Sequence, residues 1–309
     1  MTRAIVFPGQ GSQAVGMISD LYEQSQVVKD TVAEASAALG YDMWELISDN
    51  PNDNLNKTEF TQPALLTASV AIWREYLANG GVKPSHLAGH SLGEYSALVC
   101  AGVLSLADAV VLVQNRGQYM QLAVPAGTGA MAAIIGLDDD KIQAACEQAA
   151  EGQVVSPVNF NSPGQVVIAG NKEAVERAMV LVKEAGAKRA LPLPVSVPSH
   201  CELMKPAADK LAQDLANLSI NAPEISVINN VDVAKATSSE DINDALVRQL
   251  YSPVRWTETV QALASEGVTE VIEFGPGKVL TGLGKRIDKS MAYSAANDVT
   301  SLSAAIAAE

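Results

Sequence analysis

The chain has 309 residues, of which 48% are hydrophobic and 18% charged, and its formal net charge is -14. That composition excludes a disordered chain and leaves room for one large domain or two unequal ones. It also excludes nucleic acid as the expected partner, because neutralising phosphates takes a basic face.

In chain order, "RAIVFPG" predicts a strand running into a glycine turn. The turn, "FPGQGSQAVG", formally matches the dinucleotide fingerprint G-x-G-x-x-A, with Asp30 about twenty residues on. Residues 17–39, however, read as one long helical stretch, with no second strand ending in that acid. The other use of such a loop is to aim a backbone N–H, that of Gln10, at an oxyanion. "ALLTASVAIWREYLANGG" predicts a helix that starts near Pro63, aligns Leu66, Val70, Trp73 and Leu77, and stops at Gly80 and Gly81. "SHLAGHS" is a brief strand, "GEYSALVCAGVLS" an apolar helix and "LADAVVLVQNRGQYMQLAV" a further helix. Strands alternating with helices predict a parallel sheet covered on both faces.

The pattern then changes. "GAMAAIIGL" is a strand and "DDDKIQAACEQAAEG" a helix; "VVSPVNF" and "GQVVIAG" are strands joined by "NSPG"; "NKEAVERAMVLVKEAGAKR" is a helix and "ALPLPVS" a last strand. This is β-α-β-β-α-β, the ferredoxin-like split unit. It is bracketed by Pro125 and by the prolines from 192 to 198, which predicts an inserted small domain over 125–198. A larger, discontinuous α/β-hydrolase-like domain is expected over 1–124 and 199–309, where "EISVINNVD" and "TEVIEFG" return to buried-strand character. No membrane span is expected, since no run of eighteen apolar residues occurs, and "MTRAIVFPGQGS" is too short in apolar residues for a signal peptide. Cys100, Cys146 and Cys201 show no CxxC spacing, so neither a zinc site nor a disulfide framework is indicated, and a reduced cytoplasm is the expected location.

The chemistry concentrates in "LAGHSLGEYSA", where Ser91 sits between Gly89 and Gly93. A G-x-S-x-G match alone is weak, but this one lies between a strand and an apolar helix, the setting of a nucleophile elbow. The alternative is an ordinary strand–helix turn with a capping serine. A nucleophilic serine needs a base, and the chain offers only His86, His90 and His200. His90 adjoins Ser91, and neighbours on a strand point to opposite faces. His86 begins the strand and is expected to be exposed. His200, in "PVSVPSHCELMKP", lies where the small unit rejoins the large one, and elimination favours it. Cys201 beside it reads as a small buried residue rather than a thiol nucleophile.

Eight segments in order carry a resemblance that spans nearly the whole chain: "FPGQGSQ", "TQPAL", "GHSLGEYSALVCAG", "QNRGQYMQ", "GAMAAIIGL", "VNFNSPGQVVIAG", "PVSVPSHCELM" and "EFGPGKVLTGL". The sequence resembles the malonyl-CoA:acyl carrier protein transacylases of bacterial fatty acid synthesis, and most closely their enteric type. The resemblance implies that Ser91 is the acylated nucleophile and His200 its base. The backbone N–H groups of Gln10 and Leu92 would form the oxyanion hole. Arg116 would pair with the malonyl carboxylate; by itself it reads as a solvated helix arginine no better than Arg74 or Arg189. Gln62 would be a supporting polar contact, and the backbone carbonyl of Gln249 would orient His200, so that no acid completes a triad. Ser199, in "VPSH", stands where many relatives, polyketide acyltransferases among them, carry an aromatic residue. Malonyl-CoA and acyl carrier protein are the implied substrates, with no metal or redox cofactor, and a monomer is expected. A trans-acting polyketide acyltransferase, a serine thioesterase and a non-catalytic carrier-binding protein are the alternatives. Carrier proteins are acidic, so docking on a chain of this charge calls for a local basic patch, and Lys188 with Arg189 and Lys285 with Arg286 are the candidates.

Overall fold

The computed structural model describes residues 2–195 and 197–307. Its strands are β1 (Arg3–Phe7), β2 (His86–Gly89), β3 (Gly129–Ile135), β4 (Val155–Ser162), β5 (Gln165–Asn171), β6 (Arg189–Pro192), β7 (Ser226–Ile228), β8 (Glu270–Phe274) and β9 (Ala292–Ala296). They form two sheets. The first runs in the order β7-β2-β1-β8-β9, and every pairing in it is parallel. Both its faces are covered, which is why β1 is buried at every residue. Ile5 and Phe7 pack with Leu87, Ile272 and Phe274 on one face, while Ala4 and Val6 pack with Ala88, Val271 and Trp256 on the other. The alternation is the period of two that a strand imposes.

The second sheet runs β4-β5-β3-β6 and is antiparallel throughout. With the helices Asp139–Ala150 and Lys172–Glu184 it forms the β-α-β-β-α-β unit with its own core, in which Ile142 and Val175 meet Ile134, Val166 and Ile168. The opposite face of this sheet, with Met131, Val158, Val167 and Ala169, packs on Cys201 of the larger unit. A seam of main-chain bonds joins the two units. Val254 N–H donates to Val158 O (2.8 Å), and Phe160 N–H donates to Val254 O (3.0 Å).

Several sequence expectations need correction. The helix expected to start near Pro63 runs from Thr58 to Ala78 with the proline inside it. Thr58, Thr61 and Gln62 are buried, and Thr61 Oγ–H donates to Leu55 O (2.6 Å), so burial and a local side-chain bond carry the helix back past its nominal start. The single helix read over 17–39 is two, Ser19–Gln24 and Gln26–Leu39. Ser25 breaks it in an extended conformation and caps the second helix by accepting from Val28 N–H. Asp30 lies within that second helix and the next strand after β1 is β2, so the dinucleotide arrangement does not occur. Among the described residues, no helix is long and apolar enough to cross a membrane.

The approach of the helix Leu92–Cys100 to β1 places everything that follows. Gly93, in its first turn, lies so close to β1 that a Cβ there would sit 2.0 Å from Phe7 O. Gly93→Ala should therefore push helix and sheet apart and destabilise the fold by roughly 3 kcal/mol or more, read as a lowered denaturation midpoint in urea. An unchanged midpoint would mean that the helix has slack.

Candidate active site

Between the end of β2 and the helix Leu92–Cys100 the chain turns at Ser91, with φ 52 and ψ -109. That backbone is unfavourable for a residue with a Cβ. Two things hold it. A Cβ on Gly89 would lie 1.9 Å from Gly93 C, so only glycines fit the crossing. The side chain of Asn230, just past β7, spans the turn: its Nδ2 donates to Gly89 O (2.7 Å) and its Oδ1 accepts from Ser91 N–H (2.7 Å).

His200 faces Ser91 from the segment leaving the small unit, with its own φ at 64. Its Nδ1–H donates to Gln249 O (2.7 Å), which leaves Nε2 free to accept from Ser91 Oγ–H (2.8 Å). A backbone carbonyl can only accept, so it fixes the tautomer. His200 N–H also donates to Leu250 O (3.0 Å), anchoring the residue to the end of the helix Ser239–Gln249. Burial, and next the Arg116 guanidinium, push the His200 imidazolium down to about 3.

Arg116 comes from the helix Leu106–Ala123 and is 1% exposed. Its Nη1 donates to Gln62 Oε1 (2.7 Å) and its Nη2 to Gln249 Oε1 (3.0 Å) and Ser91 Oγ (3.3 Å). Every one of these acceptors is neutral, and its Nε has no hydrogen-bond partner. No carboxylate pairs with it among the described residues. Gln62 also donates through Nε2 to Met120 Sδ (3.6 Å). Gln10 follows β1 and Leu92 opens its helix. Both line the cleft beside Ser91, and neither backbone N–H has an acceptor among the described residues. The cleft has a volume of about 130 Å³, with Met131, Leu193 and Val197 on its small-unit side.

The remaining candidates fall elsewhere. His90 lines the cleft but donates through Nε2–H to Asn161 Oδ1 (2.8 Å), away from Ser91 Oγ. His86, expected to be exposed, is buried, with hydrogen bonds to Ser85 Oγ and Glu266 Oε2 (both 2.8 Å). Glu266 is the residue that ends the helix Trp256–Ser265. Cys201 is buried, donates to Pro198 O (3.1 Å), and has its thiol pushed up to about 11 by burial. The two basic pairs converge. Gln165 and Arg189 are both opposite Ile135, so they sit two strands apart, about 10 Å, at one end of the small sheet. Arg286 reaches that end by donating to Gln165 Oε1 (2.9 Å).

Asn230 and Glu94 were not singled out from sequence. Glu94 looks like a solvated acid in a helix's first turn, yet it is 2% exposed. Its signal was its place three residues after the serine, on the buried side of an apolar helix.

A neutral imidazole on a serine hydroxyl, beside two free N–H groups and an unpaired cation, can form and discharge a serine ester of an anionic acyl group. The class this fold and chemistry define is the serine acyltransferases. The family model for the acyl transferase domain matches residues 4–304. The chain is 65% identical over 303 residues to the malonyl CoA-acyl carrier protein transacylase of Escherichia coli, covering 98% of both chains, and 47% identical to that of Bacillus subtilis, covering 98% of this chain and 96% of the other. An acyl carrier protein S-malonyltransferase from Vibrio cholerae superposes with a TM-score of 0.97 at 68% identity, covering 98% and 99% of the two chains. A malonyl-transacylase solved in complex with its type II PKS acyl-carrier protein superposes at 0.99 with 60% identity, covering 100% of both. The chain belongs to the acyl transferase family, among the malonyl CoA-acyl carrier protein transacylases.

The depressed imidazole has a measurable signature. His200 should remain neutral at pH 5 and titrate only toward about 3, seen in the NMR shifts of its ring; a midpoint near 6.5 would contradict the burial argument. Stability should not follow that titration simply. The unfolded chain protonates this histidine below 6.5 while the fold resists until about 3, so its contribution weakens as pH falls through that window. Burial pushes Glu94 up from 4.5 to about 7, so its contribution weakens as pH rises through that interval. Between 4.5 and 6.5 the two slopes oppose one another.

Proposed function

We propose that the chain transfers a malonyl group from malonyl-CoA to the phosphopantetheine thiol of acyl carrier protein through a malonyl ester on Ser91. The observation that carries this is the buried Arg116 guanidinium, unpaired by any acid and 3.3 Å from Ser91 Oγ. A buried cation with only neutral partners calls for an anion, and leaving it unpaired costs about 3–5 kcal/mol. A malonyl thioester supplies a carboxylate one carbon beyond its reactive carbonyl.

His200 Nε2 takes the Ser91 proton as Oγ attacks the thioester carbon. The oxyanion is held by the N–H groups of Gln10 and Leu92, each worth about 3 kcal/mol in such a role. The tetrahedral adduct collapses, the C–S bond breaks, and His200 returns the proton to the CoA thiolate. The carrier's thiol then repeats the sequence in reverse. Its proton goes to His200, its sulfur attacks the ester carbon, and Ser91 leaves with that proton. Gln249 O holds the imidazole in the required tautomer and shares the imidazolium's charge. Written this way, the reaction needs no metal or redox group. The three buried, unpaired thiols fit work in the cytoplasm. Lys188, Arg189, Lys285 and Arg286 would receive the acidic carrier.

Intact-mass analysis after malonyl-CoA, followed by peptide mapping, should find one malonyl group on Ser91, discharged to holo carrier protein and absent in Ser91→Ala. Modification of a cysteine would overturn the nucleophile, and free malonate released without carrier would return the thioesterase reading.

Charge reversal at all four basic positions should raise the Michaelis constant for carrier protein and leave that for malonyl-CoA nearly unchanged. Added salt should weaken carrier use in the unaltered chain more than in the reversed one. Equal salt sensitivity would place the docking surface elsewhere.

A further inference from the structure

Glu94 is buried directly beneath the serine turn, and no cation contacts it among the described residues. Its Oε2 accepts from Asn230 N–H (2.9 Å) and from Gln249 Nε2 (2.9 Å). The same Gln249 amide donates to Ser91 O (3.1 Å) and accepts, through Oε1, from Arg116 Nη2 (3.0 Å). One side chain thus lies between a buried acid and a buried base, touching both.

The chemistry of the three groups fixes how they line up. A carboxylate only accepts, a guanidinium only donates, and an amide has one end of each kind. The NH₂ end of Gln249 must therefore face Glu94 and its oxygen must face Arg116. Swapping the ends would set NH₂ against a guanidinium and oxygen against a carboxylate, leaving two buried groups unsatisfied. The Gln249 amide stands between Glu94 and Arg116, so the two do not touch. This stops short of a direct salt bridge, which would occupy the guanidinium and leave nothing to attract a substrate carboxylate.

We propose that Glu94 is a positioning residue for acyl-group selection: by anchoring the Gln249 amide it presents the amide oxygen to Arg116 and holds the guanidinium beside Ser91 without neutralising it. The proposal rests on the reading that Arg116 receives the malonyl carboxylate. It extends the task of Gln249 as well. The backbone carbonyl of Gln249 orients His200 while its side chain orients Arg116, so one residue registers the base and the selector to each other.

The test compares two acyl donors. Malonyl-CoA uses Arg116, whereas p-nitrophenyl acetate acylates Ser91 and carries no carboxylate. In Glu94→Met, kcat/KM for malonyl-CoA should fall about tenfold or more, mainly through KM, the scale of one hydrogen bond to a charged group. The p-nitrophenyl acetate burst should fall much less, because any loosening of the turn through Asn230 is shared by both donors, whereas a displaced Arg116 penalises only the donor with a carboxylate. Glu94→Gln keeps an acceptor but not the charge, and should recover part of the malonyl rate. Equal loss with both donors would overturn the proposal and reduce Glu94 to a support of the serine turn, as would no loss with either. Should Glu94→Met fail to fold, Glu94→Gln takes its place, and the same split between donors, smaller in size, is required of it. Failure of the underlying reading looks different, since the unaltered chain would then show no malonyl ester on Ser91.

Discussion

The turn at Ser91 needs a backbone conformation that an L-residue avoids, at a cost of order 1–3 kcal/mol, and nearly every other feature of the cleft works to keep it there. The glycines on either side let strand and helix cross at contact distance. Asn230 grips the turn from both ends, with one amide atom on Gly89 O and the other on Ser91 N–H. Glu94 fixes Asn230 through its backbone, and Gln249 donates to Ser91 O. Five residues from three separate stretches of chain therefore converge on one turn. The parallel sheet makes this possible, because β2 and β7 are neighbours and deliver Gly89 and Asn230 side by side at their carboxyl ends.

Electrostatics in the cleft are governed by dryness. Arg116, His200 and Glu94 are each almost wholly buried, and burial is the first cause of the shifts at His200 and Glu94. A histidine this reluctant to charge holds Ser91 through a neutral hydrogen bond at rest. Proton transfer becomes favourable only as negative charge develops nearby, and the carbonyl of Gln249 is already placed to receive the imidazolium. A backbone dipole here stands where many serine enzymes use a carboxylate. It orients the ring without adding a second full negative charge close to Arg116, which would compete with an anionic acyl group.

Much of this was legible in the sequence, and the limits have physical causes. The β-α-β-β-α-β order could be read because its two helices carry clear apolar stripes over a core of their own and its strands are bounded by turn residues. His200 could be reached by elimination because there are only three histidines. Arg116 could not be read locally, and Glu94 only from its place beside the serine on an apolar helix, because a charged residue on a helix looks solvated until the neighbouring helices are in place. Burial at both positions is a property of tertiary packing rather than of the segment. His86 failed for the same reason: its cover comes from Glu266, 180 positions away. The helix at 58–78 and the break at Ser25 show the reverse case. There, a contact to Leu55 and a capping hydroxyl override the signals that proline and periodicity carry.

The antiparallel unit enters and leaves the larger one at almost the same point. Gly129, the first residue of β3, lies against the ring of Pro198, close enough that a Cβ there would be 2.6 Å from it. A segment whose two ends touch can vary within itself while placing little strain on the chain that flanks it. Met131, Asn159, Leu193, Val195 and Val197, all within that segment, line one wall of the cleft, while Ser91, Leu92 and Arg116 belong to the other. Variation inside that segment can therefore reshape the room available to the acyl chain while the reacting groups stay put. The shape of the cleft and its buried cation thus come from separate stretches of the chain, the one wall from 131–197 and the guanidinium from Arg116.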